Sequence, residues 1–283
     1  MLKLPPIVTT DWLEDHLDSP NLVIIDIRSR NEYREGHIPG SINLPFDPLK
    51  SAWTIIRDDL LLEIPSPEEL FQTIGDAGIS REESVVVIVN KVDTTFNRAD
   101  VARVAVELIY AGIDNVAILD GGYNKWIKEG RRISTETTQP ISRQYVGEVR
   151  EHIFVPKHYV LERIGKSVIV DARDPDVYFG ITTEPWGPIP GHIPTAKNLP
   201  TPWIWTPEGM YRPIDVIDRM VQGVIGTDKN REIIVYCGVG GYSSVLWYVL
   251  TQILSYTNVK IYDGGWQEWL KEPQGPISVY KWE

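Results

Sequence analysis

The 283-residue chain offers little to oxidation: it has one cysteine, Cys237, and three methionines. A single cysteine excludes an intrachain disulfide. Together with 21 prolines, that scarcity leans toward the composition of a thermophile's protein. No run of about 18 apolar residues occurs, which excludes a membrane-spanning helix. Nor does an apolar stretch of signal-peptide length follow residues 1–6, so a cytoplasmic protein is expected. Cationic surface is also scarce. Lys and Arg number 28 against 39 Asp and Glu, a net charge of −11. Nucleic acid, which needs a basic face, is thereby excluded as a partner. The same charge repels small anions, so any anion site must be assembled from local dipoles and a few nearby cations. The five histidines and one cysteine form no cluster with zinc-ligand spacing, and no metal is expected. The phosphate-binding pattern Gly-x-x-x-x-Gly-Lys is missing too.

What is present is ordinary for a globular protein, 42% hydrophobic and 24% charged residues, in a chain long enough for two domains. The chain reads twice. Val23–Arg28 matches Val168–Arg173, both ending Asp-x-Arg. Gly36-His37-Ile38-Pro39 matches Gly191-His192-Ile193-Pro194, and each continues to Asn-Leu-Pro at 43–45 and 198–200. Two β-branched runs follow, Val85–Val89 and Ile233–Tyr236, each before a helical stretch around 101–110 and 244–254. Asp120-Gly121-Gly122 and Asp263-Gly264-Gly265 close the blocks, followed by Trp126 and Trp269. Short apolar runs alternating with helix-length segments predict an α/β fold, a parallel sheet with helices on both faces, in each repeat. The boundaries expected are a first domain over 1–133, a polar linker over 134–152 and a second domain over 153–283.

The most informative segment is Tyr236-Cys237-Gly238-Val239-Gly240-Gly241-Tyr242-Ser243-Ser244. A buried strand ends at Cys237, a glycine-rich loop follows, and a helix is expected to begin at Ser243 or Ser244. Glycines let the backbone curl so that N–H groups point inward, and the helix start adds unpaired N–H groups. Gly238, Val239, Gly240, Gly241 and Tyr242 are therefore expected to form a cradle that stabilises the Cys237 thiolate, or a persulfide carried on it. A buried, inert cysteine is the alternative reading. Where Cys237 stands, the first repeat has Asn90, which cannot carry a sulfur.

The remaining conspicuous residues read structurally. His37 and His192 occupy matching turns in both repeats, which speaks for turn stabilisation rather than general-base work. Asp120 and Asp263 read as turn residues before helices, and Trp126 and Trp269 as core. Trp186, Trp203 and Trp205, outside the repeat pattern, are candidates for a pocket mouth or for surface packing. About ten extra residues separate Arg173 from His192 compared with the first repeat, and loops of that kind carry specificity.

These motifs, in this order and twice over, resemble the rhodanese superfamily across nearly the whole chain. The resemblance implies a tandem rhodanese-like α/β protein with a silent first domain and a catalytic second one. The implied activity is transfer of a sulfane sulfur through a Cys237 persulfide by double displacement, with no metal or organic cofactor. The partners it implies are a small anionic sulfur donor and cyanide or a thiol acceptor, such as a thioredoxin-like protein. Thiosulfate is the expected donor and Arg173 the candidate cation for it, with simple pairing to Asp171 as the alternative role for Arg173. Two further readings stay open: 3-mercaptopyruvate as donor, and a non-enzymatic persulfide carrier or interaction module. A related phosphatase would need Arg where Ser243 stands.

Overall fold

A computed structural model describes residues 4–283. Residues 1–3, part of the stretch inspected for a signal peptide, lie outside the described residues. The chain divides into two compact units. The first comprises the chain up to Ile55, Ile64–Arg150 and Pro207–Met210; the second comprises Ile56–Glu63, Glu151–Thr206 and Tyr211–Glu283.

In chain order the first repeat gives β1 (Ile7–Val8), α1 (Thr10–His16), β2 (Leu22–Asp26), α2 (Arg30–Glu35), β3 (Ile42–Asn43), β4 (Ile55–Arg57), β5 (Leu60–Glu63), α3 (Pro67–Asp76), β6 (Val85–Val89), α4 (Thr95–Tyr110), β7 (Val116–Leu119) and α5 (Gly122–Lys128). The second gives β8 (Phe154–Val155), α6 (Lys157–Arg163), β9 (Val168–Asp171), α7 (Pro175–Phe179), β10 (Lys197–Asn198), α8 (Ile214–Ile225), β11 (Ile233–Tyr236), α9 (Gly241–Tyr248), β12 (Val259–Tyr262) and α10 (Gly265–Trp269).

Both units carry a five-stranded parallel sheet of the same topology, β1-β7-β6-β2-β3 in one and β10-β9-β11-β12-β8 in the other. The β-branched runs Val85–Val89 and Ile233–Tyr236 become the central strands, covered on both faces, which explains their unbroken apolarity. Within unit 2 the connections after β9 and after β11 lead to opposite edges. The carboxyl ends of these two strands thus form the switch point at which open α/β sheets place ligands. Trp126 and Trp269 are fully buried in equivalent cores, each indole donating to a backbone carbonyl, Arg132 O and Pro276 O.

The repeated motifs have repeated physical jobs. Arg28 and Arg173 each fork onto the aspartate two residues earlier, at 2.6 Å at the closest, and onto the carbonyl of Gly36 or Gly191. Asn43 and Asn198 donate to the carbonyls flanking these forks. His37 and His192 stack on Tyr33 and Tyr178 and donate Nδ1–H to those tyrosines' carbonyls at 2.8 Å. That is the turn-holding role expected of them.

Two expectations change. The polar stretch 134–150, read as part of a connection, lies along unit 1. Ser134 and His37 exchange backbone bonds, Arg143 N donates to Gly75 O, and the buried Tyr145 hydroxyl donates to Ala111 O. Backbone pairing and one buried aromatic dock this polar segment. Helix α9 begins at Gly241, two or three residues earlier than expected, because Gly240 at φ +96° turns the chain into the helix at once.

The double glycine before α10 has a steric cause. Gly265 has φ +56°, and a Cβ there would sit 2.7 Å from the carbonyl oxygens of both Cys237 and Gly238. Gly265→Ala is expected to destabilise the protein by about 1–3 kcal/mol. Gly223→Ala, on the exposed face of α8 with open space around it, should stabilise by up to about 1 kcal/mol. Thermal denaturation of the two variants measures both; equal shifts would contradict the packing described.

Candidate active site

Cys237 follows β11 directly and is only 3% exposed. Its carbonyl accepts the Trp266 N–H at 2.8 Å, and the Gly238 carbonyl accepts from Gln267 at 3.2 Å. The start of α10 therefore fixes the carbonyl side of the loop, which leaves the N–H side turned toward the sulfur. Gly240 N–H donates to Sγ at 3.1 Å, and Ser243 Oγ lies 3.7 Å from it. The backbone amides of Val239 and Ser243 also act on the sulfur. Helix α9 has no side-chain cap, whereas Thr94 caps its counterpart α4 by accepting from Asn97. With glycine in the capping position, the first-turn donors of α9 are left for another acceptor.

The net influence on the resting sulfur nonetheless runs against the thiolate. Burial pushes the Cys237 thiol above its ordinary range, and the Glu184 carboxyl raises it further. The Ser243 amide and hydroxyl and the Val239 amide pull the other way without reversing the effect. Desolvation outweighs the dipoles that composition and loop geometry suggested.

Of the expected cradle, Val239 and Gly240 thus direct amides at the sulfur. Gly238 lies beneath Glu184 and Trp186, Gly241 opens α9, and Tyr242 is half-buried with its carbonyl accepting from Thr201. Arg173, 1% exposed, is committed through its backbone N–H, Nε and Nη2 to Asp171 and Gly191, with its guanidinium 4.6 Å from the centre of the Trp266 ring. Its Nη1 faces Glu184 at 4.0 Å. Of the three loop tryptophans, Trp186 covers Gly238, Trp205 is buried and Trp203 is on the surface.

Two residues escaped the sequence reading. The sequence marks Ser243 as a candidate helix start and as the place where an arginine is missing, but not as a partner of the sulfur, although a hydroxyl six residues after the cysteine lies within the first helical turn and can reach back to it. Glu184 gave no local signal; its position over the cysteine loop is a product of the folded insertion.

In unit 1 the equivalent position is filled differently. Asn90 Nδ2 donates to the Asn97 carbonyl at 2.9 Å and its Oδ1 accepts from the Lys91 amide. Its carbonyl accepts from Tyr123, as that of Cys237 does from Trp266. An amide side chain satisfies the loop internally.

A family model described as a rhodanese-like domain matches residues 9–129 and 157–272. The chain is 33% identical over 276 residues to the sulfur carrier protein TtuD of Thermus thermophilus, covering 93% of each. It is 30% identical over 288 residues to a Mycobacterium leprae protein named "Putative thiosulfate sulfurtransferase", covering 99% of each. Among solved structures it is similar to the 3-mercaptopyruvate sulfotransferase SseA of Escherichia coli, with a TM-score of 0.77 and 27% identity over 92% of this chain and 98% of that one. It also shares the fold of an anaerobic ergothioneine biosynthesis enzyme from Chlorobium limicola, with a TM-score of 0.81 and 22% identity over 97% and 70% of the two chains.

Ser243→Ala should make the Cys237 anion harder to form. A hydrogen bond to a charged group contributes about 1.5 kcal/mol or more, so alkylation by iodoacetamide at a fixed pH should slow by roughly tenfold. An unchanged rate would show that the hydroxyl does not serve the sulfur.

Proposed function

Because the chain belongs to the rhodanese family of sulfurtransferase domains, we propose that it moves a sulfane sulfur from thiosulfate to cyanide or a thiol, with Cys237 as the carrier. The observation that carries this reading is a single sulfur at the switch point of unit 2, faced by the amides of Val239, Gly240 and Ser243. In the first step the Cys237 thiolate attacks the outer sulfur of thiosulfate, the sulfur–sulfur bond of the donor breaks, and sulfite leaves with the electron pair. The charge then resides on the terminal sulfur of the persulfide, one atom further out. In the second step cyanide or a thiolate takes that sulfur and restores the Cys237 thiolate. This is nucleophilic catalysis with ping-pong kinetics, and it needs no metal or organic cofactor.

The thiosulfate assignment is supported by the name of the mycobacterial relative. The likeness to SseA favours 3-mercaptopyruvate as a second reading, and the carrier name of the Thermus relative favours delivery to a protein thiol, such as that of a thioredoxin-like partner. For an anionic donor of either kind, Arg173 Nη1 is the nearby cation in this reading. Among the described residues no helix is long and apolar enough to cross a membrane, and an unpaired reactive thiol suits the reducing cytoplasm.

With thiosulfate and cyanide the protein should form thiocyanate, faster than it forms pyruvate from 3-mercaptopyruvate. The donor alone should add about 32 Da to Cys237, as a covalent intermediate requires. Cys237→Ser should abolish both signals and Asn90→Ala neither. Turnover by the serine variant would remove Cys237 from the chemistry, and a faster reaction with 3-mercaptopyruvate would reassign the donor.

A further inference from the structure

The insertion that distinguishes unit 2 is folded back on the cysteine loop. Gly191 lies eighteen positions after its partner Arg173, whereas Gly36 lies eight after Arg28. The extra chain makes a tight turn in which Glu184 and Gly187 pair as an antiparallel bridge. Trp266 anchors it: the indole donates to the Ile189 carbonyl at 3.0 Å, and Gly187 lies so close to the ring that a Cβ would come within 2.5 Å. The tip of the turn presses on the loop that carries the sulfur. A Cβ on Gly238 would meet Trp186 Nε1 at 2.1 Å and Glu184 Oε2 at 2.5 Å.

We propose that Glu184 is a charge gate on the Cys237 site. Ionised, it faces the one edge of Arg173 not committed elsewhere and turns anionic reagents away from the sulfur; protonated, it yields that edge to them. The proposal rests on the reading of Cys237 as the reacting sulfur, and it names what limits access to that sulfur.

Three observations support it. The Nε and Nη2 of Arg173 are held by Asp171 and Gly191, so Nη1 is the edge left for an anion, and Glu184 stands 4.0 Å from it, too far for a direct hydrogen bond. Glu184 Oε2 is buried and makes no well-formed hydrogen bond, the Trp186 indole standing near it in poor geometry, an arrangement that disfavours the charged form. The groups facing the carboxyl divide in sign. Arg173 and the Trp186 indole favour ionisation, Asp171 and Asp174 oppose it, and Cys237 is itself raised by the carboxylate. Burial is the largest influence and pushes Glu184 up to about 7. Its folded value is thus raised, so the neutral form prevails below that pH and the gate closes as pH rises through it. A carboxylate and a thiolate sharing this space oppose each other's ionisation.

Because Cys237 is the only cysteine, alkylation reports on this site alone. The full-length protein is treated with iodoacetate, an anion, and in parallel with iodoacetamide, its neutral counterpart. Both reagents need the thiolate and the same opening of the turn, so the ratio of their rates cancels both effects. In the wild type the iodoacetate-to-iodoacetamide ratio should fall about tenfold between about pH 6 and about pH 8, spanning the range in which Glu184 ionises. In Glu184→Gln the ratio should stay near its low-pH value throughout. A wild-type ratio that does not change with pH overturns the gate, and that measurement decides the matter even should the variant fail to fold. The same fall in Glu184→Gln overturns it too, as does failure of both reagents to label Cys237. The sulfur-transfer reading fails separately: a falling ratio without thiocyanate formation sinks that reading and leaves the gate, whereas thiocyanate formation with a flat ratio does the reverse.

Discussion

The sulfur of Cys237 is subject to two opposed influences, and the arrangement of unit 2 follows from holding them in place together. Exclusion from water disfavours the anion, whereas the amides of Val239, Gly240 and Ser243 favour it. Neither is a property of the cysteine alone. The amides point inward because α10 binds the carbonyls on the other side of the loop, and α10 approaches closely enough only because Gly265 lacks a side chain. Glu184 and Trp186 lie over the loop at Gly238, on a turn held through Trp266 of the same helix. A single short helix thus positions both the donors and the cover.

Much of this architecture was legible in the residues. Unbroken β-branched runs can be satisfied only where both faces of a strand are covered, so β6 and β11 were readable as central strands. Asp-x-Arg and Gly-His-Ile-Pro, appearing twice, marked strand ends and turns that the structure fills with matching forks and stacks. The start of α9 was placed too late, because a left-handed glycine turns the chain more sharply than a loop of several residues would. The segment 134–150 reads as a polar connection by composition and is docked by backbone bonds, which composition does not register. Glu184 was invisible for a related reason: a carboxylate in a proline-rich insertion carries no periodicity, and what matters about it is the surface on which the turn comes to rest.

The two units show how one fold closes the same loop in two ways. Asn90 meets the hydrogen-bonding needs of its loop with its own amide, and Thr94 satisfies the helix start with a hydroxyl. In the second loop the Gly240 N–H goes to the sulfur of Cys237, and no side chain caps α9.

The Asp26–Arg28 and Asp171–Arg173 forks agree to within a few tenths of an ångström in each hydrogen bond. One of them sits in a unit without a cysteine, so the molecule carries its own internal control. What the arginine does for folding can be read from the copy at position 28. Whatever a substitution at position 173 costs beyond the same change at position 28 belongs to the surroundings of the second fork, a separation that a protein with one such domain does not permit.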